Sequence, residues 1–202
     1  GVHYLDLIHS ALGVDAPLAV TALGGKYALD DNREIPDTLE AVYQYPGNTL
    51  VTFSQFNASA PPASAKPAEI EFRGTKGTLY VLSNGYEVVP DVLPVNEIPA
   101  RSPLTREDDK QYRAGAKAQI EPKKATSGPS SGDTILHARN FLDCIKSREK
   151  CHCDIETGHR STSATLLANI AHQTRSLLEW DAKAERFTNH QKANRLLEPV
   201  YR

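Results

Sequence analysis

Thr38-Leu39-Glu40-Ala41-Val42-Tyr43-Gln44-Tyr45, followed by Pro46-Gly47-Asn48 and then by Thr49-Leu50-Val51-Thr52-Phe53-Ser54-Gln55-Phe56, decides the fold class. The first eight residues place Leu39, Ala41 or Val42, and Tyr43 to Tyr45 at the two-residue spacing of a half-buried strand. Pro-Gly-Asn is turn chemistry, and the alternation resumes after it. A β-hairpin is the physical reading. Upstream, residues 17–27 form a strand running into a turn, and Asp30 to Pro36 is a polar loop. Leu5, Ile8, Ala11 and Leu12 recur at helical spacing before a Gly13 stop.

Downstream, an Ala/Ser/Pro-rich loop covers 58–68. Strands are expected over Ala68–Phe72, Thr78–Leu82 and Tyr86–Val89, joined by the glycine turns at 73–77 and 83–85. This is a meander of five or six antiparallel strands. Residues 90–132 are rich in Pro, Gly, Ser and charge and read as a long surface excursion, partly mobile. Asp133 or Thr134 then caps a helix with Ile135, Leu136, Phe141, Leu142 and Ile145 on one stripe. A longer helix is expected over about 157–179, with Leu166, Leu167, Ile170, Ala171, Leu177 and Leu178 apolar. Trp180-Asp181 and Arg186-Phe187 flank a hairpin or turn, and a last helical turn lies within 190–197. Strands grouped first and helices later imply an α+β fold, with an open, mainly antiparallel sheet and helices packed on one face. The other face needs a cover, and a partner subunit is the expected one, making a homo-oligomer.

The 202 residues are 40% hydrophobic and 24% charged, as in an ordinary globular protein. A net charge of −2 gives no general attraction to nucleic acid or to an anionic membrane. No apolar run approaches a bilayer span, and no basic-then-apolar leader opens the chain. There is no methionine, and Gly1 to Ile8 starts inside a helical pattern, so we expect further sequence upstream. Three cysteines without framework spacing fit free thiols.

No Gly-x-Gly occurs, so the dinucleotide fingerprint is absent, as are a Walker loop, His-Glu-x-x-His and Gly-x-Ser-x-Gly. Cys151-His152-Cys153 crowds three ligand types that cannot close one tetrahedral metal site, and a loop with free thiols is the simpler reading. His3 and Asp6 lie three apart on one helical face, where an imidazole and a carboxylate can do acid–base work or simply form a structural pair. Gly158-His159-Arg160-Ser161 opens a helix, where free N–H groups favour anions and polar ligands, or ordinary capping.

Several blocks in this order carry a family likeness: Gly1-Val2-His3-Tyr4-Leu5-Asp6-Leu7, Ala22 to Tyr27 with Glu34 to Thr38, Phe72 to Leu79, His137 to Cys144, Glu156 to Ser161, and Trp180-Asp181. They cover nearly the whole chain and resemble the C-terminal domain of the Gfo/Idh/MocA oxidoreductases, the group of glucose–fructose oxidoreductase and inositol dehydrogenase. The resemblance implies that residues 1–202 are one C-terminal substrate-binding and oligomerisation domain, with the N-terminal Rossmann domain absent from this chain. It implies hydride transfer between NAD or NADP and a sugar or polyol, without a metal. His3 matches the histidine of the family's Asp-x-x-x-His pair, whose aspartate would precede Gly1, and is the catalytic candidate. Asp6 matches the carboxylate one turn on, a substrate or structural contact. Lys26, Tyr27 and His159 are the further candidate substrate contacts. The chain alone is expected to be inactive. An NAD-dependent glycoside hydrolase of the same superfamily and a stand-alone sugar-binding or scaffold module are the alternatives. Cytoplasm and bacterial periplasm both remain open.

Overall fold

The Thr38–Tyr45 segment folds as strand β2, with Leu39, Ala41, Tyr43 and Tyr45 buried and the residues between them on the opposite face. The computed structural model describes residues 1–59, 68–92, 117–126 and 133–198. The chain divides into two compact units, residues 1–63 with 149–202, and residues 64–148.

In the first unit β2 pairs antiparallel with β1 (Ala19–Gly25) and with β3 (Thr49–Phe56), the latter through the expected hairpin. Asn48 and Gly47 supply the positive φ of that turn. Strands β8 (Leu178–Asp181) and β9 (Arg186–Phe187) complete a five-stranded sheet in the order β3-β2-β1-β8-β9. Helices α1 (Val2–Leu12) and α3 (Ile155–Thr174) cover one face of it. Leu5 and Ile8 from α1, Leu167 and Ile170 from α3, and Val20, Tyr43 and Leu178 from the sheet make the core. Each such side chain contributes roughly 1.5–3 kcal/mol on burial. On the other face Leu23, Leu50 and Phe56 are exposed beside Glu40, Gln44 and Ser54. Apolar and polar residues thus alternate on that open surface.

Asp154 caps α3 by accepting from the Thr157 amide at 3.0 Å. The Lys150 ammonium, 2.7 Å away, and then Thr157 hold its carboxyl far below the usual range. The helix therefore begins ahead of Gly158, and its N-terminal end is served by the protein's own carboxylate. It also ends sooner than periodicity suggested, because Arg175 takes a left-handed cap and Leu178 turns into the sheet. The last helix, α4, is Gln191–Asn194.

In the second unit β4 (Ala68–Arg73), β5 (Gly77–Leu82), β6 (Gly85–Pro90) and β7 (Lys123–Thr126) form a separate antiparallel sheet in chain order. The expected meander is thus two sheets. Strand β7 lies inside the stretch read as a surface excursion, and its Lys-Lys-Ala-Thr sequence has no apolar alternation to announce it. The rest of that excursion, 93–116 and 127–132, lies outside the described residues. Helix α2 (Asp133–Ser147) forms as expected, but its apolar stripe does not face a core. Ile135, Phe141, Leu142 and Ile145 are 46–69% exposed. Among the described residues no element packs extensively on α2. No helix of the described residues is long and apolar enough to cross a membrane.

His9, on the inner side of α1, is buried and shares a 2.8 Å hydrogen bond with the Tyr45 hydroxyl. Burial pushes the imidazole below its ordinary 6.5, against the pull of Asp6 and Asp15. The unfolded chain therefore takes up the proton first. The stability held by neutral His9 is complete above pH 6.5 and is lost as the pH drops below it, until the folded-state value is reached. Urea denaturation at pH 7.5 and 5.5 should show a lower midpoint at the acid value, and His9→Gln should flatten the difference. An unchanged difference in the variant would remove His9 as its source.

Candidate functional site

His3 and Asp6 stand on the outer side of α1, His3 exposed and Asp6 half-buried. The helical step places them about 60° apart around the axis, while Leu5 and Ile8 turn inward. No hydrogen bond or ion pair engages His3 among the described residues, so its imidazole is available to an outside group.

Lys26 and Tyr27 sit where β1 runs into the loop that returns to β2. One buried carboxylate organises that loop. Asp37 accepts from the Tyr27 amide at 3.0 and 3.1 Å, from Ala28 at 3.0 Å and from Leu29 at 2.8 Å. The Thr38 hydroxyl adds a fourth donor at 2.9 Å. The Leu29 and Ala28 amides, then Tyr27 and Thr38, hold the Asp37 carboxyl far below its ordinary 3.8. Glycine is required at Gly24, near the end of β1, since a Cβ there would come within 2.4 Å of the Thr38 carbonyl oxygen. Tyr27 itself is 74% exposed. The Lys26 ammonium is engaged within the loop, donating to the Asp31 carbonyl and pairing with its carboxylate at 3.3 Å. The Arg33 guanidinium beside Asp31 holds that carboxyl down at about 2.

His159 is on the second turn of α3, bonded to Glu185 at 2.7 Å. Arg160 reaches the same carboxylate at 3.2 Å and donates to the Ala182 carbonyl at 2.8 Å. This cluster ties α3 to the β8–β9 turn, and His159 then Arg160 hold the Glu185 carboxyl low. Among the described residues no hydrogen bond or ion pair joins His3 or Asp6 to Lys26, Tyr27 or His159. The structure therefore gathers the five candidates as one pair, one loop and one surface ion cluster. Among the described residues no disulfide joins Cys144, Cys151 or Cys153. Among the described residues no group of three His, Cys, Asp or Glu is arranged to hold a metal ion.

A pocket of about 190 Å³ opens between α1, β2, β3 and α3, wholly within the first unit. Leu5, Leu39, Phe53 and Ile35 give it apolar walls. Tyr43, Gln55, Thr165 and Asn169 supply its polar atoms, and Gly1 lies at its edge. Sequence reading missed this site because its lining comes from four elements and a loop, with no spacing to mark it.

Residues 108–202 match the family described as "Oxidoreductase family, C-terminal alpha/beta domain", the second C-terminal domain type of Gfo/Idh/MocA. Over those residues the chain is similar to the Gfo/Idh/MocA oxidoreductases. Solved structures agree in fold. An oxidoreductase from Agrobacterium radiobacter, solved with NAD+, L-tartaric acid and magnesium, is 12% identical over 89% of this chain and 47% of its own, at a TM-score of 0.53. A Thermotoga maritima protein is 15% identical over 88% of this chain and 44% of its own, at 0.52. The Bacillus subtilis protein yvaA is 14% identical over 90% and 49%, at 0.51. The chain spans about half the length of these structures. No curated protein matches it.

A nicotinamide dinucleotide does not fit the described residues. Among the described residues every strand pair is antiparallel, and no glycine-rich turn leads from a strand into a helix.

Replacing Asp37 by Ala should release the loop. Hydrogen exchange at the Tyr27, Ala28 and Leu29 amides is expected to speed up roughly tenfold or more, as on losing a charge-assisted hydrogen bond. In the unaltered chain the loop contribution is complete above pH 3.8 and fades as the pH falls toward the depressed folded-state value. Unchanged exchange in the variant would show that other contacts close the loop.

Proposed function

We propose that this chain is the substrate-binding and oligomerisation domain of an NAD(P)-dependent oxidoreductase acting on a sugar or polyol. The observation that carries the reading is the C-terminal family match over residues 108–202. The Agrobacterium relative, of the same fold, was solved with NAD+ and a polyhydroxy acid, which supports the same class of cofactor and substrate. In this reading the cofactor, NAD or NADP, is held by a nucleotide-binding domain outside these 202 residues. Residues 1–202 then act together as that domain's partner.

His3 moves the proton of the reacting hydroxyl or carbonyl. Asp6, one turn along, holds a substrate hydroxyl or orients the imidazole. Lys26, Tyr27 and His159 contact the remainder of the substrate. Lys26 and His159 would first have to leave Asp31 and Glu185, so they are the weaker assignments. Leu23, Leu50 and Phe56 on the open sheet face support a homo-oligomer built through that face.

Positioning supplies much of catalysis, and one histidine without cofactor or partner groups has little of it. The purified 202-residue chain should therefore show no NAD(P)-dependent turnover of sugars or polyols. Joined to a preceding nucleotide-binding domain, the same residues should be active. There His3→Asn should lower kcat about a hundredfold or more. Turnover by this chain alone would sink the division of labour, and an unchanged kcat would sink the role of His3.

A further inference from the structure

We propose that the pocket between α1, the β2–β3 hairpin and α3 binds a small uncharged ring carrying one hydroxyl, the chemistry of a phenol or an alicyclic alcohol. This site is distinct from the His3 side of α1, because Leu5 enters the pocket wall from the inner side of that helix.

Size comes first. The pocket holds about 190 Å³. A dry apolar cavity of about 150 Å³ takes up benzene, so a six-membered ring with one or two substituents fits. Charge comes second. No charged side chain lines the pocket. A carboxylate or ammonium entering it would give up hydration without a charged side chain to pair with. Leu39, Ile35 and Phe53 instead offer apolar surface, and Phe53 offers a ring for edge or offset stacking.

The third observation selects the hydroxyl. Tyr43 is only 1% exposed, burial pushes its phenol well above the ordinary range, and it lines the pocket. Its neighbour Tyr45 has His9 as a partner, while the Tyr43 hydroxyl has none among the described residues. No fully enclosed side-chain polar atom of the described residues lacks a partner. The Tyr43 hydroxyl must therefore keep access to open space, and the pocket is the space it borders. A hydroxyl so placed calls for a donor–acceptor group opposite it. Gln55 already gives its amide to the Pro36 carbonyl at 3.3 Å, and Thr165 its hydroxyl to Ser161 at 3.1 Å. Tyr43 and Asn169 are thus the polar lining side chains with no partner among the described residues, enough for one hydroxyl and too few for the many of a sugar ring.

Phenol, toluene and glucose, each titrated into the 202-residue chain and followed by NMR, test this. Phenol should shift the Leu39 and Phe53 resonances saturably, with toluene weaker and glucose without effect. Tyr43→Phe should weaken phenol about tenfold and leave toluene unchanged, the loss of one hydrogen bond. Ala168→Leu, which fills the pocket, should abolish both. Tyr43→Phe removes a single oxygen, so it remains a test if the filled variant does not fold. Absence of saturable shifts, equal phenol binding by wild type and Tyr43→Phe, or tighter binding of glucose than of phenol would each overturn the assignment.

Discussion

The carboxylate of Asp37 is the constraint on which the first unit turns. It stands one residue before β2, and its own amide bonds the Gly25 carbonyl at the end of β1. From that point the two-residue alternation of β2 runs inward through Leu39, Ala41, Tyr43 and Tyr45. A slip of one residue would turn all four to solvent. The same carboxylate gathers the Tyr27, Ala28 and Leu29 amides. One residue therefore joins two tasks: its backbone amide ties the start of β2 to the end of β1, and its carboxylate closes the loop that carries Lys26, Tyr27 and the pocket residues Ile35 and Pro36.

Legibility in the sequence follows how local each cause is. The 38–56 hairpin was readable because alternation and a Pro-Gly-Asn turn lie within one window. Strands β4 to β6 were readable for the same reason. The division into two sheets was not, because turn residues do not say whether the next strand pairs with the last. Strand β7 forms by backbone pairing with β6, and Lys123-Lys124-Ala125-Thr126 carries no side-chain signal for it. The stripe on α2 was read correctly as a pattern, but a pattern does not name its partner.

The candidate site divides in the same manner. His3 and Asp6 were legible as an i, i+3 pair, since helix geometry alone brings them together. His159 could be seen, whereas its bond to Glu185, 26 positions later, depends on where the β8–β9 turn comes to rest. Asp37 was not singled out, because donors eight to ten positions upstream are invisible until the loop closes. The pocket was the least legible feature, assembled from side chains separated by more than 160 positions.

Helix α1 carries its two histidines on different sides. His9 points inward, loses hydration, and is kept neutral against Tyr45. His3, six residues earlier, is exposed and unengaged. The same side chain thus serves stability in one place and is free for chemistry in the other, and burial alone makes the difference. Asp6 lies between them and acts on both sides, raising the His9 imidazole through space while sharing the outer side with His3. The buried half of α1 also makes the exposed half useful. A proton-transfer group must be held in a fixed position, and Leu5, Ile8 and His9 anchor the helix that presents His3. In the proposed reading the core beneath α1 therefore holds His3 in place, although none of its residues would touch the substrate.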